Sequence, residues 1–416
     1  MVAPWLAGGN LQLVLPRYDI NTDMVLRRFA GKILAVGAAA LLMLAASGCE
    51  TLQFYRQAAW GQWQIMSARQ DVEELMADSG TAVELSERLQ LTQEVLGFAE
   101  QQLGLAANGR YSTYVELGRE YVLWNVFAAR PFSLDEDQWC YPIVGCAPYR
   151  GYFDEQRARQ VAQRYNRRGF ETYVGGVPAY STLGWFEDPL LSSFVVWPAA
   201  DLVNLLLHEL AHSRVWVNGD VAFNESFAEF VGNRGAQAWF AQRGEVELWR
   251  QWRSQRRGWL TFRAFAVTAK SHLQSVYTGP TEDLAEGKRR ALEAFQACYR
   301  AHRETLGGGR YDELMSGHFN NAFLLSIGTY ADWLPAFSHL FEQSGSDWSA
   351  FFTAVQSLAD LDHASRETRL EELSRAPLTQ QLLTQQEVSH GTDHRNAHEV
   401  NCEPFLGHGA HTESAG

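Results

Sequence analysis

Positive charge is scarce in this chain. Its 416 residues carry 35 Lys and Arg against 48 Asp and Glu, a formal net charge of −13, which argues against the basic surface that a nucleic-acid partner requires. There is no glycine-rich phosphate loop and no internal repeat, which excludes a P-loop nucleotide cradle and a solenoid or propeller. Cysteine is sparse as well. Of five in all, none has the paired spacing of a cysteine zinc site. Long apolar runs are also missing: residues 33–46 form one, and it is too short to span a bilayer comfortably.

Large hydrophobic side chains are abundant instead. The chain is 46% hydrophobic, with 14 Trp, 15 Tyr and 23 Phe, enough for one large domain or two intimately packed ones. The stretch "RQWRSQRRGWLTFR" (250–263) is basic and aromatic, and reads as a helix with one apolar and one charged face.

The short apolar run belongs to "MVLRRFAGKILAVGAAALLMLAASGCE". Arg27, Arg28 and Lys32 form a positive leader, and Ala46-Ser47-Gly48 end the run just before Cys49. This looks like a bacterial lipoprotein signal, with Cys49 the lipidated first residue of the mature chain and Met24 the expected start of translation; a simple membrane anchor or a plain secretion signal is the alternative. Glu50 is not the aspartate associated with inner-membrane retention, so the expected location is the periplasmic face of the outer membrane. The pair Cys140 and Cys146, around "YPIVG", is either a disulfide of an oxidising compartment or two reduced core thiols.

Residues 208–212 read "HELAH", and "NESFAEF" follows at 224–230. "PAADLVNLLLHELAHSRVW" predicts a helix over 199–215, on which His208 and His212 share a face one turn apart and can hold one metal ion. Glu209 stands beside them, where a general base for water belongs. A catalytic zinc takes three protein ligands, and Glu225 is the expected third, on a second helix over 224–242 with Asn224 as its N-cap. Glu229, one turn on, fits a carboxylate that orients a ligand histidine through its other ring nitrogen.

Elsewhere the chain is helix-like from 52 to about 104, aromatic with short strands over 111–153, helical over 154–169, strand-like over 170–191, and mostly helical from about 243 to 375. The sequence divides into residues 1–23, outside the structured protein; a signal peptide, 24–48; a metallopeptidase domain, 49–385; and a disordered tail, 386–416. That tail holds His390, His394, His398, His408 and His411, which either bind transition metals loosely or reflect compositional drift.

Taken together, "HELAH…FNESFAEF", "YVGGVPAYSTLGWFEDPLL", "WCYPIVGCAPYRGYF" and "NNAFLLSIGTY" resemble a bacterial family of zinc aminopeptidases, gluzincin-like proteins that often carry a lipoprotein signal. The resemblance covers roughly residues 52–375. It implies an α+β fold, mostly helical, with a small sheet next to the HExxH helix; Zn2+ as cofactor on His208, His212 and Glu225; Glu209 as base; and peptides as substrates. Twelve residues separate His212 from Glu225, fewer than in thermolysin-like enzymes, which requires a tight turn at Gly219-Asp220. The "GAMEN" element that holds a substrate amine in aminopeptidase-N-like enzymes is absent.

Substrate residues follow from the same reading. Gly175 and Gly176 either let a peptide approach an edge strand or make a tight bend in a core sheet. Tyr330 is the first candidate for the oxyanion donor and Tyr180 the second. Arg150 either meets a substrate carboxylate or forms a buried ion pair. Glu171, Glu187 and Asp188 are candidates to hold the substrate's α-ammonium. The expected activity is removal of N-terminal residues, with an endopeptidase or a non-catalytic binding protein as the alternatives.

Overall fold

The computed structural model describes residues 52–135, 139–141, 145–179, 187–280, 283–327, 333–375 and 400–402. The chain divides into two units, 1–59 and 60–416. Within the first, residues 52–59 are helical. Cys49, the leader, Tyr180, Tyr330 and the five tail histidines lie outside the described residues.

The second unit begins with helical residues 60–67 (α1). Then come β1 (Gln70–Asp71), α2 (Val72–Ala77), α3 (Val83–Phe98), β2 (Thr113–Val115), β3 (Leu123–Ala129), β4 (Trp139–Tyr141), β5 (Gly145–Ala147) and β6 (Tyr149–Tyr152). The single helical stretch expected up to about 104 is thus broken. Asp71 ends the short strand β1 and caps α2, its side chain accepting from the Glu74 amide, and the backbone turns again before Val83.

After β6 follow α4 (Glu155–Arg167), β7 (Glu171–Val177), β8 (Leu190–Leu191), α5 (Ser192–Val195), α6 (Ala199–His212), α7 (Val221–Gln242) and α8 (Val246–Thr278). The chain continues with α9 (Leu284–Ala301), α10 (Asn321–Ser326), α11 (Leu334–Gln343), α12 (Trp348–Ala359) and α13 (His363–Arg375). The architecture is α+β and mostly helical. Among the described residues no helix is long and apolar enough to cross a membrane.

Two buried cores organise this unit. The first gathers α3, α6, α7, α11 and α12 with the sheet β1–β2–β8, in which β2 pairs with β8 in parallel. Leu202, Val203, Leu206, Leu207, Leu210 and Ala211 form the apolar stripe of α6, the i, i+4 spacing that seats a helix against its neighbours. Opposite it, α7 turns Phe223, Phe227 and Phe230 toward Phe337, Phe341, Phe351 and Phe352. Burying a side chain of this size contributes roughly 1.5–3 kcal/mol.

The second core lies under the antiparallel sheet β6–β3–β7 and is closed by α8, α9 and α10. Tyr149, Phe127 and Tyr173 share one face of that sheet, and Tyr173 packs on Phe323 of α10. Strand alternation puts Val126, Arg150 and Val174 on the other face, and α4 packs on all three strands.

Cys402 is buried and bonded to Cys298 of α9, 104 residues away. The segment 400–402 therefore returns to the second core, although the tail was expected to be disordered throughout. Nothing in local spacing announces a pair so far apart. Cys140 and Cys146 are opposite one another in the β4–β5 register; their side chains are outside the described ones.

Candidate metal centre

The site forms where α6 crosses α7. Pro198 starts α6 and Asp201 occupies its first turn, its carboxylate accepting from the Trp252 indole of α8 at 2.6 Å. The helix ends at His212, so both motif histidines lie in its last two turns. Gly219, with φ of 81°, makes the tight reversal that the short spacing demanded.

The second helix begins one turn earlier than expected. Its N-cap is Asp220, not Asn224: Asp220 accepts from the Phe223 amide and is gripped by Arg366 of α13. Asn224 is buried and serves the turn instead, its amide bonding both the N–H and the C=O of Val217. A buried Asn that closes the loop back onto the helix holds Glu225 at a fixed distance from His212, which an N-cap at Asn224 would not do.

The helices approach closely through two glycines that the sequence reading passed over. A methyl group on Gly232 would come within 2.9 Å of the Asn204 carbonyl and 3.2 Å of His208 Cβ, and one on Gly235 would meet Leu207 at 2.9 Å. Helix pairs approach this closely only where side chains are absent. The signal was present in "FVGNRG", two glycines three residues apart on a helix otherwise lined with large side chains.

At this crossing three donor atoms converge. His208 Nε2 and His212 Nε2 are 3.2 Å apart; Glu225 Oε2 is 3.4 Å from the first and Oε1 3.8 Å from the second. Two nitrogens each 2.0–2.1 Å from a tetrahedral zinc lie about 3.4 Å from one another, so the spacing fits one shared cation. Among the described residues this is the one group of at least three His, Cys, Asp or Glu side chains with metal-compatible geometry. His212 Nδ1 has no hydrogen-bond partner among the described residues; Trp216 packs edge-on against its ring.

The electrostatics of the cluster are those of closely spaced charges in low dielectric. Burial pushes the His212 imidazole down to about 4, and the neighbouring His208 adds to that. Burial acts against the His208 cation too, but the carboxylates of Glu225, Glu209 and Glu229 outweigh it and raise its pKa. Burial would raise Glu225, yet the hydrogen bond from His208 and the two histidine charges hold it below the ordinary carboxylate range. Glu209 moves the other way. Burial raises its carboxyl, His208 opposes, and Glu225 and Asp188 reinforce the rise.

Glu229 stands one turn after Glu225, and its hydrogen bonds run to Asn233 and Arg256. It acts on His208 through charge rather than through a ring nitrogen. Asn204 joins the same network from α6, donating to Asn233 and accepting from Arg256, so α6, α7 and α8 are braced one turn below the first histidine.

The expected substrate residues fare differently. Gly175 and Gly176 lie in β7, which among the described residues pairs only with β3, but a methyl on Gly176 would enter the Tyr121 ring and one on Gly175 would meet Tyr173 at 3.1 Å. Both glycines make room for tyrosines. Arg150 is buried, on the sheet face that α4 covers and opposite to Tyr149. Tyr149 itself, which the sequence reading did not single out, has its hydroxyl pKa raised by burial and by the Glu225 carboxylate.

Of the three acids proposed to hold an α-ammonium, Glu171 is bound to Lys288 and to the Asn321 amide, and Glu187 is exposed. Asp188 is the buried one, and its charge acts on Glu209. No curated protein and no solved structure matches the chain. A family model described as "Putative aminopeptidase" matches residues 53–370, and this chain belongs to that family.

Proposed function

We propose that this protein is a zinc-dependent aminopeptidase of the cell envelope, exported by its leader and held at the periplasmic face of the outer membrane by a lipid on Cys49. The observation that carries the zinc reading is the convergence of His208, His212 and Glu225 beside Glu209. The peptidase reading rests on family membership. A zinc ion held by the three side chains would polarise the scissile carbonyl and acidify water at the site.

The chain's own groups supply the rest. Glu209 takes the proton from the attacking water and returns it to the departing amine; a carboxyl raised by burial holds that proton better than an exposed one. Asp188 is the acid we assign to the α-ammonium of a peptide, on the ground of its burial, because an exposed carboxylate gains little from such a pair. Tyr149, near Glu225, joins Tyr330 and Tyr180 as a donor for the developing oxyanion.

The test is digestion of a mixture of free and N-acetylated peptides by the zinc-loaded protein, followed by mass spectrometry. Ladders from free N-termini with acetylated peptides spared are expected. Internal cuts that ignore acetylation would make it an endopeptidase, and no cleavage with zinc bound would make it a binding protein.

A further inference from the structure

The loop between α3 and β2 carries an arginine with a buried nitrogen that no described residue bonds. Asn108, Gly109 and Tyr111 all have positive φ, at 52°, 82° and 62°. For Asn and Gly this is ordinary, but for a buried tyrosine it is a strained conformation that persists only when its surroundings enforce it. They do so here: the Tyr111 amide donates to the Asp188 carbonyl at 2.8 Å and its carbonyl accepts from Gln93. Ser112 bonds back to the Gly109 carbonyl, and a side chain on Gly109 would collide with Glu187. The loop is therefore fixed from both sides, and Arg110 is held between its two most constrained residues.

Arg110 Nη1 is buried and has no hydrogen-bond partner among the described residues. Other arginines with a buried orphan nitrogen differ. Arg69 donates to the Glu187 carbonyl, and Arg119 donates to the carbonyls of Phe153 and Val122. Arg110 makes no such bond and no ion pair with the described residues, although its charge reaches both Glu209 and His212. A buried guanidinium donor without an acceptor is costly to keep, and such an exception in a native structure calls for a role.

Accepting the peptidase reading above, we infer that Arg110 binds an anionic oxygen of the substrate at the metal centre, through a charge-assisted hydrogen bond from its buried Nη1. Arginine is the side chain suited to this, since its fork meets a carboxylate in a fixed geometry and it stays charged at any working pH. Two oxygens have that chemistry. One is the C-terminal carboxylate of a very short peptide, whose ammonium would lie on Asp188; the other is the oxyanion formed at the scissile carbonyl.

Zinc-loaded Glu209→Gln protein, titrated calorimetrically with di-, tri- and tetra-alanine and with their C-terminal amides, reads the first without any turnover. If the carboxylate is the partner, amidation weakens binding about 10-fold or more at one chain length, and the added Arg110→Gln change abolishes that difference. If the oxyanion is the partner, amidation has no effect, while Arg110→Gln lowers kcat about 100-fold on all cleaved peptides with KM unchanged. Zinc content and melting temperature report folding, and Arg110→Lys, which keeps charge but loses the fork, replaces Arg110→Gln if the latter is unstable. Equal binding of acids and amides, together with an unaltered kcat in the Arg110 variants, overturns the assignment. Should the wild-type protein cleave nothing, the calorimetric arm alone decides: equal binding of acids and amides then overturns it too, and the failure of the peptidase reading stays separate.

Discussion

Around Lys288 no buried side-chain nitrogen or oxygen of the described residues is left without a partner. Its ammonium bonds the Glu171 carboxylate and the Pro131 carbonyl; the other Glu171 oxygen takes the Asn321 amide. The Asn321 side chain ties three carbonyls of 130–133 and receives the Tyr277 hydroxyl. At the α6–α7 crossing the buried charges are left with capacity to spare. Two histidine nitrogens and a carboxylate face a common point, Glu209 stands beside them, and a guanidinium nitrogen nearby has no acceptor among the described residues. Both regions bury ionisable groups at comparable depth. The first network positions secondary structure, whereas the second leaves donors and acceptors that a group from outside the chain could satisfy.

The widest separation between the two regions comes from removing a ligand. His208→Ala or Glu225→Ala should lose the roughly one zinc per chain expected of the wild type and abolish hydrolysis, while the cooperative unfolding of the purified protein persists. Elemental analysis and a peptide assay read both. Zinc retained in stoichiometric amount by both variants would remove this site from consideration.

Glu209→Gln should keep the zinc and lower kcat by about 10²–10⁴, so that binding and chemistry separate within one cluster. In the second region the expected loss is of stability. Lys288→Met leaves Glu171 without its counter-charge and should cost about 3 kcal/mol in denaturant unfolding, with kcat/KM of the remaining folded protein unchanged. Changing both partners, Lys288→Met with Glu171→Leu, should recover part of that loss. Activity that falls in step with Lys288→Met would show that the two regions are not independent.

The smallest effect is expected where the helices touch. Gly232→Ala must displace the Asn204 carbonyl and press on His208, costing about 1–3 kcal/mol. The zinc dissociation constant, measured by competition with a chelator, should rise about 10-fold because a ligand is moved.

The local pattern of the chain carried a good deal. A glutamate between two histidines four apart, on a helix with an unbroken apolar stripe, places three functional groups by helical geometry alone, because 3.6 residues per turn leaves little freedom. Glu225 was legible for a similar reason: the turn at Gly219 confines where a second helix can begin. Its cap was misread because Asp220 and Asn224 are both good caps, and the selection between them comes with the bonds of Asn224 to Val217 and the grip of Arg366 on Asp220, the latter across 146 residues.

What the sequence by itself determined is that His208, Glu209 and His212 share one helix with Glu225 close behind, the mostly helical α+β class and the excess of acidic over basic charge. These depend on periodicity and residue chemistry within about twenty positions. Only the tertiary structure decided that Glu171 is structural and Asp188 is not exposed, that Gly175 and Gly176 accommodate tyrosines, that Cys298 pairs with Cys402, and that Arg110 Nη1 is buried without a hydrogen-bond partner among the described residues. Each of these is a meeting of side chains distant along the chain, and whether a polar group is satisfied depends on all the groups that surround it, which no local pattern encodes.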